Sequence, residues 1–132
     1  MFGKKSKAGP IDSLIGVGSR IEGNVSFSGG LRVDGQVQGN ICSVDNKPST
    51  LVLSELGQVE GEINVAHMVI NGSVHGPIRA TEYLELLPKA RVSGDVYYHS
   101  IEIHVGAVVS GKLIHEGQKQ DKVVELKPAT GN

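Results

Sequence analysis

The sequence has no tryptophan, two phenylalanines, three tyrosines and a single cysteine, Cys42. So few aromatics exclude the usual large-ring filling of a globular core. The interior must be built from valine, isoleucine and leucine. A lone cysteine excludes an intramolecular disulfide and fits a reducing compartment. No apolar run approaches the roughly 18 residues of a membrane-spanning helix; the longest are stretches such as VGAVV at 105–109. The net charge is −1, and the missing basic excess argues against nucleic acid as a partner. The N-terminus has no signal-peptide hydrophobic core, so a cytoplasmic location is expected.

Glycine is what the chain has in excess, at 18 of 132 residues, about twice ordinary usage. Such frequent glycine disfavours long helices. The glycines recur in one motif, [VI]-x-G-x-[VIL]: IEGNV (21–25), VDGQV (33–37), VEGEI (59–63), INGSV (70–74), VSGDV (92–96) and VSGKL (109–113). Two copies extend by a further step, VQGNI (37–41) and VHGPI (74–78). Alternation of apolar and polar residues is the period of a strand, with one face buried. A mean interval near 18 residues between motifs (21 to 109 in five steps) accommodates three short strands and three bends. That is one turn of a parallel β-helix.

The expectation is therefore an all-β chain: a right-handed parallel β-helix of about six coils over residues 13–116. It is flanked by a disordered basic arm, 1–12, and a disordered tail, 117–132. Gly23, Gly35, Gly61, Gly72, Gly94 and Gly111 are read as corner glycines, where a side chain would crowd the bend. Coils stacked ~4.8 Å apart make a rod roughly 29 Å long.

A competing period of six joins Ile15, Ile21, Phe27 and Val33. It would suit a left-handed hexapeptide-repeat acyltransferase acting as a trimer. The frame fails between Val33, Val59 and Ile70, whose steps are 26 and 11 residues. The wider coil is preferred. A monomeric binding module built on the same helix is the third reading.

The chemistry of an enzyme is hard to find. None of His67, His75, His99, His104 and His115 forms an HExxH motif or a Cys/His pair at metal-ligand spacing. No metal site is expected. The glycines match neither nucleotide-binding pattern, GxGxxG or GxxxxGK[ST], so no cofactor is expected. Glu60, Glu62, Glu82 and Glu85 read as a solvated face, and Cys42 as a structural residue at a bend.

The chain ends carry the function. A β-helix without caps exposes unpaired backbone groups and an apolar cross-section, a template for another chain. Leu14, Ile15 and Val17 lie at one end, and Ile103, Val109 and Leu113 at the other; these six are the expected polymerisation interface. VVEL (123–126) is the one segment able to fold back as a cap. Burying an end of roughly a few hundred Å² at ~25 cal/mol per Å² gives several kcal/mol before association costs.

The arm MFGKKSKAGP joins apolar Met1 and Phe2 to Lys4, Lys5 and Lys7. Each lysine is worth ~1 kcal/mol at an anionic lipid surface, and many arms on one filament act by avidity. Phe2 stands where myristoylation requires glycine.

From Ile11 to Ile41 the pattern IxxLIGxGxxIEGNVxFxGGLRVDGxVxGNI, preceded by a Met-Phe-x-Lys-Lys start, resembles the bactofilins. The resemblance covers nearly the whole chain. It implies a bacterial cytoskeletal protein, a right-handed β-helix that polymerises end to end without nucleotide into non-polar filaments. It further implies attachment to the inner face of the cytoplasmic membrane and scaffolding of cell-wall and morphogenesis proteins. Its partners would be copies of itself, an anionic membrane surface and those client proteins.

Overall fold

The computed structural model describes residues 10–44 and 48–117. They form sixteen strands and no helix. Every recorded strand pair is parallel. Numbered in chain order, the strands wind into six coils of a three-faced parallel β-solenoid.

The first face stacks β1 (Ser13–Ile15), β4 (Gly30–Val33), β7 (Thr50–Leu53), the second halves of β9 (Ile63–Ile70) and β11 (Ile78–Leu86), and β14 (Ile101–Ile103). The second stacks β2 (Arg20–Glu22), β5 (Gln36–Gln38), β8 (Gln58–Glu60), β10 (Ser73–His75), β12 (Arg91–Ser93) and β15 (Val108–Ser110). The third stacks β3 (Val25–Phe27), β6 (Ile41–Ser43), the first halves of β9 and β11, β13 (Val96–Tyr98) and β16 (Leu113–His115). Strands β9 and β11 run unbroken round one corner and weld faces three and one together.

Alternation sets what is buried. Along face two the inward residues are Ile21, Val37, Val59, Val74, Val92 and Val109, in register from coil to coil. Face three contributes Val25, Ile41, Ile63, Ile78, Val96 and Leu113. Face one contributes Ile15, Val33, Leu53, Ile70, Leu86 and Ile103. The members of coils two to five in these ladders are buried. The core is thus chiefly a column of β-branched and leucine side chains, joined by Met68 and by one buried ring, Phe27.

Two of the three corners are built around glycine by different rules. The corner between faces two and three holds a glycine in every coil: Gly23, Gly39, Gly61, Gly76, Gly94 and Gly111. All six have positive φ, from +132° at Gly23 to +159° at Gly111, a region open to glycine and strained for other residues. A Cβ on any of the last five would overlap the carbonyl oxygen of the glycine one coil earlier. The neighbouring polar residues lock the stack: Asn40 N–H donates to Asn24 Oδ1 at 2.9 Å, and Glu62 N–H to Asn40 Oδ1 at 2.9 Å. Further along, Lys112 N–H donates to Asp95 Oδ1 at 3.1 Å.

The corner between faces one and two varies in length. Coils two and four turn tightly through Gly35 and Gly72. The other four coils use a longer bend closed by a backbone hydrogen bond: Ser19 N–H to Gly16 O, Gly57 to Ser54, Ala90 to Leu87 and Ala107 to His104. The tight turns have the same [VI]-x-G-x-[VIL] spelling as the other corner. The six glycines chosen from sequence therefore mix two ladders: Gly35 and Gly72 belong to the variable corner. Gly39 and Gly76, seen only as motif extensions, complete the constant one.

The first strand opens at Ser13, and Asp12 just before it is tied to the next coil: its N–H donates to Gly30 O at 3.0 Å and its Oδ2 accepts from Gly30 N–H at 3.1 Å.

Candidate polymerisation interface

A stack has two terminal coils, and each lacks a neighbour on one side. Among the described residues β1, β2 and β3 pair only with coil two, and β14, β15 and β16 only with coil five. Their outer edges hold the backbone groups that elsewhere make the ladder. Gly23 agrees: among the described residues a Cβ there meets nothing within 4 Å, and none of them forms a coil before it.

The side chains follow suit. In the first coil Ile15, Ile21 and Val25 are half-buried, while their ladder partners Val33, Val37 and Ile41 are sealed. In the last coil Ile101 and Val109 are half-buried, and Ile103 and Leu113 are 45% and 46% exposed, above sealed Leu84, Val92, Leu86 and Val96. Among the described residues, each end is an uncovered cross-section of the core.

The sequence-selected residues divide accordingly. Ile15, Ile103, Val109 and Leu113 terminate inward ladders. Leu14 pairs in register with exposed Arg32, so it points outward from face one, and it is 61% exposed. Val17 stands on the bend between faces one and two. Sequence reading missed Ile21, Val25 and Ile101; the ladder register, once known, picks them out at once. Met1, Phe2, Lys4, Lys5 and Lys7, and the segment 123–126, lie outside the described residues.

The last coil is tied down at its exit. Arg79 forms an ion pair with Glu116 at 2.5 Å and lies over the Tyr97 ring, 4.3 Å from its centroid. The hydrogen bond to Glu116 raises the Arg79 pKa above its ordinary value. His99 and His115 rings stack with centroids 6.1 Å apart. On face one, Tyr83 Oη donates to Glu102 Oε1 at 2.8 Å. Burial and that bond push the Tyr83 phenol up to about 12.

The bactofilin family model, described as polymer-forming cytoskeletal, matches residues 13–114. The chain belongs to the bactofilin family. The match begins at the first strand of the solenoid and ends within the last. Bactofilin BacO of Myxococcus xanthus (strain DK1622) is 31% identical over 102 residues, covering 77% of this chain and 78% of that protein. Bactofilin BacP of the same strain is 28% identical over 102 residues, covering 77% of this chain but only 41% of BacP. No solved structure matches significantly. Bactofilins are cytoskeletal polymer formers, so the chain is a structural protein, and self-assembly is the property its family brings.

Proposed function

We propose that this bactofilin polymerises end to end through its two bare coils, without nucleotide, into filaments on the inner face of the cytoplasmic membrane. The observation that carries the reading is that, among the described residues, nothing covers either terminal coil, and the inward ladders stop there at half-exposed isoleucine, valine and leucine. Stacking one end on another buries these side chains and gives the edge strands partners. Joints between like ends are twofold-related, which makes the filament non-polar. Such joints pair edge strands antiparallel, in contrast to the parallel pairing inside each molecule. The basic, apolar-tipped arm binds anionic lipid weakly alone and firmly when arrayed along a filament. Cell-wall and morphogenesis proteins are the clients of that scaffold.

One microscopy experiment tests the whole reading. The purified chain, nucleotide-free and mixed with anionic vesicles, should form filaments lying on the vesicle surface. Leu113→Arg should abolish filaments while leaving the β-sheet circular dichroism unchanged. Deleting residues 1–9 should leave filaments intact but detached from vesicles. Filaments that survive Leu113→Arg and its counterpart Ile15→Arg would refute the end-to-end joint; filaments that stay on vesicles without the arm would refute its role.

A further inference from the structure

The outer side of face one carries a cluster that the filament reading does not use. Glu85 and Glu102 are register partners on adjacent coils, so their side chains leave the same face one above the other. His104 lies two residues beyond Glu102 and shares its parity. Its Nε2 is 2.8 Å from Glu85 Oε2 and 3.2 Å from Glu102 Oε2. One donor atom from each of the three residues lies within 4.8 Å of the others. Tyr83 Oη holds the other oxygen of Glu102 at 2.8 Å, which turns Oε2 toward the imidazole.

Glu22, Asp34, Glu55 and Glu116 each pair with an arginine or lysine; among the described residues the other carboxylates do not, and of these Glu85 and Glu102 stand directly one above the other. Among the described residues, Glu85 and Glu102 have neither within ion-pair distance; their one recorded partner of possible positive charge is His104. Carboxylates directly opposite on neighbouring strands repel, and a cation between them removes that repulsion.

We propose that Glu85, Glu102 and His104 bind a divalent first-row transition ion, with zinc the best fit. Two carboxylates and an imidazole are the mixed oxygen and nitrogen set such ions take, whereas magnesium and calcium favour oxygen alone. Tetrahedral zinc with ligands near 2.0–2.1 Å sets them about 3.3 Å apart, close to the 2.8 and 3.2 Å between His104 Nε2 and the two carboxylate oxygens. Tyr83 is the outer partner that orients a ligating carboxylate. Three protein ligands leave a position for water. The bound ion staples the last coil to the one beneath it, since Glu85 belongs to coil five and the other two ligands to coil six.

Calorimetric titration of the full chain with zinc chloride tests this directly. Binding of one ion per chain is expected. His104→Ala and the isosteric Glu85→Gln should each weaken it about tenfold or more, with circular dichroism unchanged. His75→Ala, on another face, should leave it intact. Zinc should also raise the unfolding temperature of the wild type but not of Glu85→Gln. Wild-type affinity in His104→Ala would overturn the site, as would silence at about millimolar zinc. So would loss in His99→Ala with His104→Ala unaffected, which would move binding to the stacked histidines.

Discussion

Gly23 and Gly61 occupy the same corner, share a positive φ and sit two coils apart, yet their surroundings differ completely. A side chain on Gly61 runs into the Gly39 carbonyl; one on Gly23 meets none of the described residues within 4 Å. The contrast holds throughout the molecule. Interior coils are specified by contact on both sides, and terminal coils by contact on one. The same ladder therefore acts as a core in its middle and as an adhesive surface at its tips.

Breaking that contrast is the sharpest test of it. Gly61→Ala adds backbone overlap to φ strain and should cost about 3 kcal/mol or more, seen as a lowered urea midpoint. Gly23→Ala keeps only the strain, about 1 kcal/mol, but places a methyl in the joint and should shorten filaments. Equal destabilisation by the two would erase the distinction between middle and end. A smaller difference separates Leu84 from Ile101, which stack on each other in one ladder. With Leu113→Arg as background to hold the end open, Leu84→Ala should lose about 2–5 kcal/mol and Ile101→Ala about 1. The ladder view predicts this order and fails if it reverses.

The smallest effect is electrostatic. Tyr83 has its pKa raised to about 12 from an ordinary 10.0. The fold therefore favours the neutral phenol. Its stabilisation is complete below about pH 10 and disappears as pH climbs through about 12. The negative charge that then forms beside Glu102 and Glu85 loosens the last coil first. Amide exchange in β14 should accelerate in that window in the wild type, and Tyr83→Phe should flatten the response.

Period and composition made the solenoid legible, because a coil is a local repeat and each strand writes its own alternation. Coil number was legible too. Corner identity was not: the tight bends at Gly35 and Gly72 have the same spelling as the constant corner. Only the register reveals that Gly39 and Gly76 stack with Gly61. The outward direction of Leu14 was hidden for a related reason, since parity decides inside from outside and the frame of β1 is fixed by its pairing with Arg32. The Glu85, Glu102 and His104 cluster lay beyond any motif search. Its members are brought together by stacking one coil, an offset that shifts along this chain from 15 residues (Val59 to Val74) to 22 (Val37 to Val59).

The constant glycine corner carries one more consequence. Each bare Cα is the seat for the coil above, and nothing in the cross-section records how many seats there are. Rod length is therefore a free variable in this architecture. Duplicating some seventeen residues would lengthen the subunit by one storey while both tips kept their shape. A lineage could thus retune subunit length, and the spacing of whatever it carries, without redesigning how subunits meet.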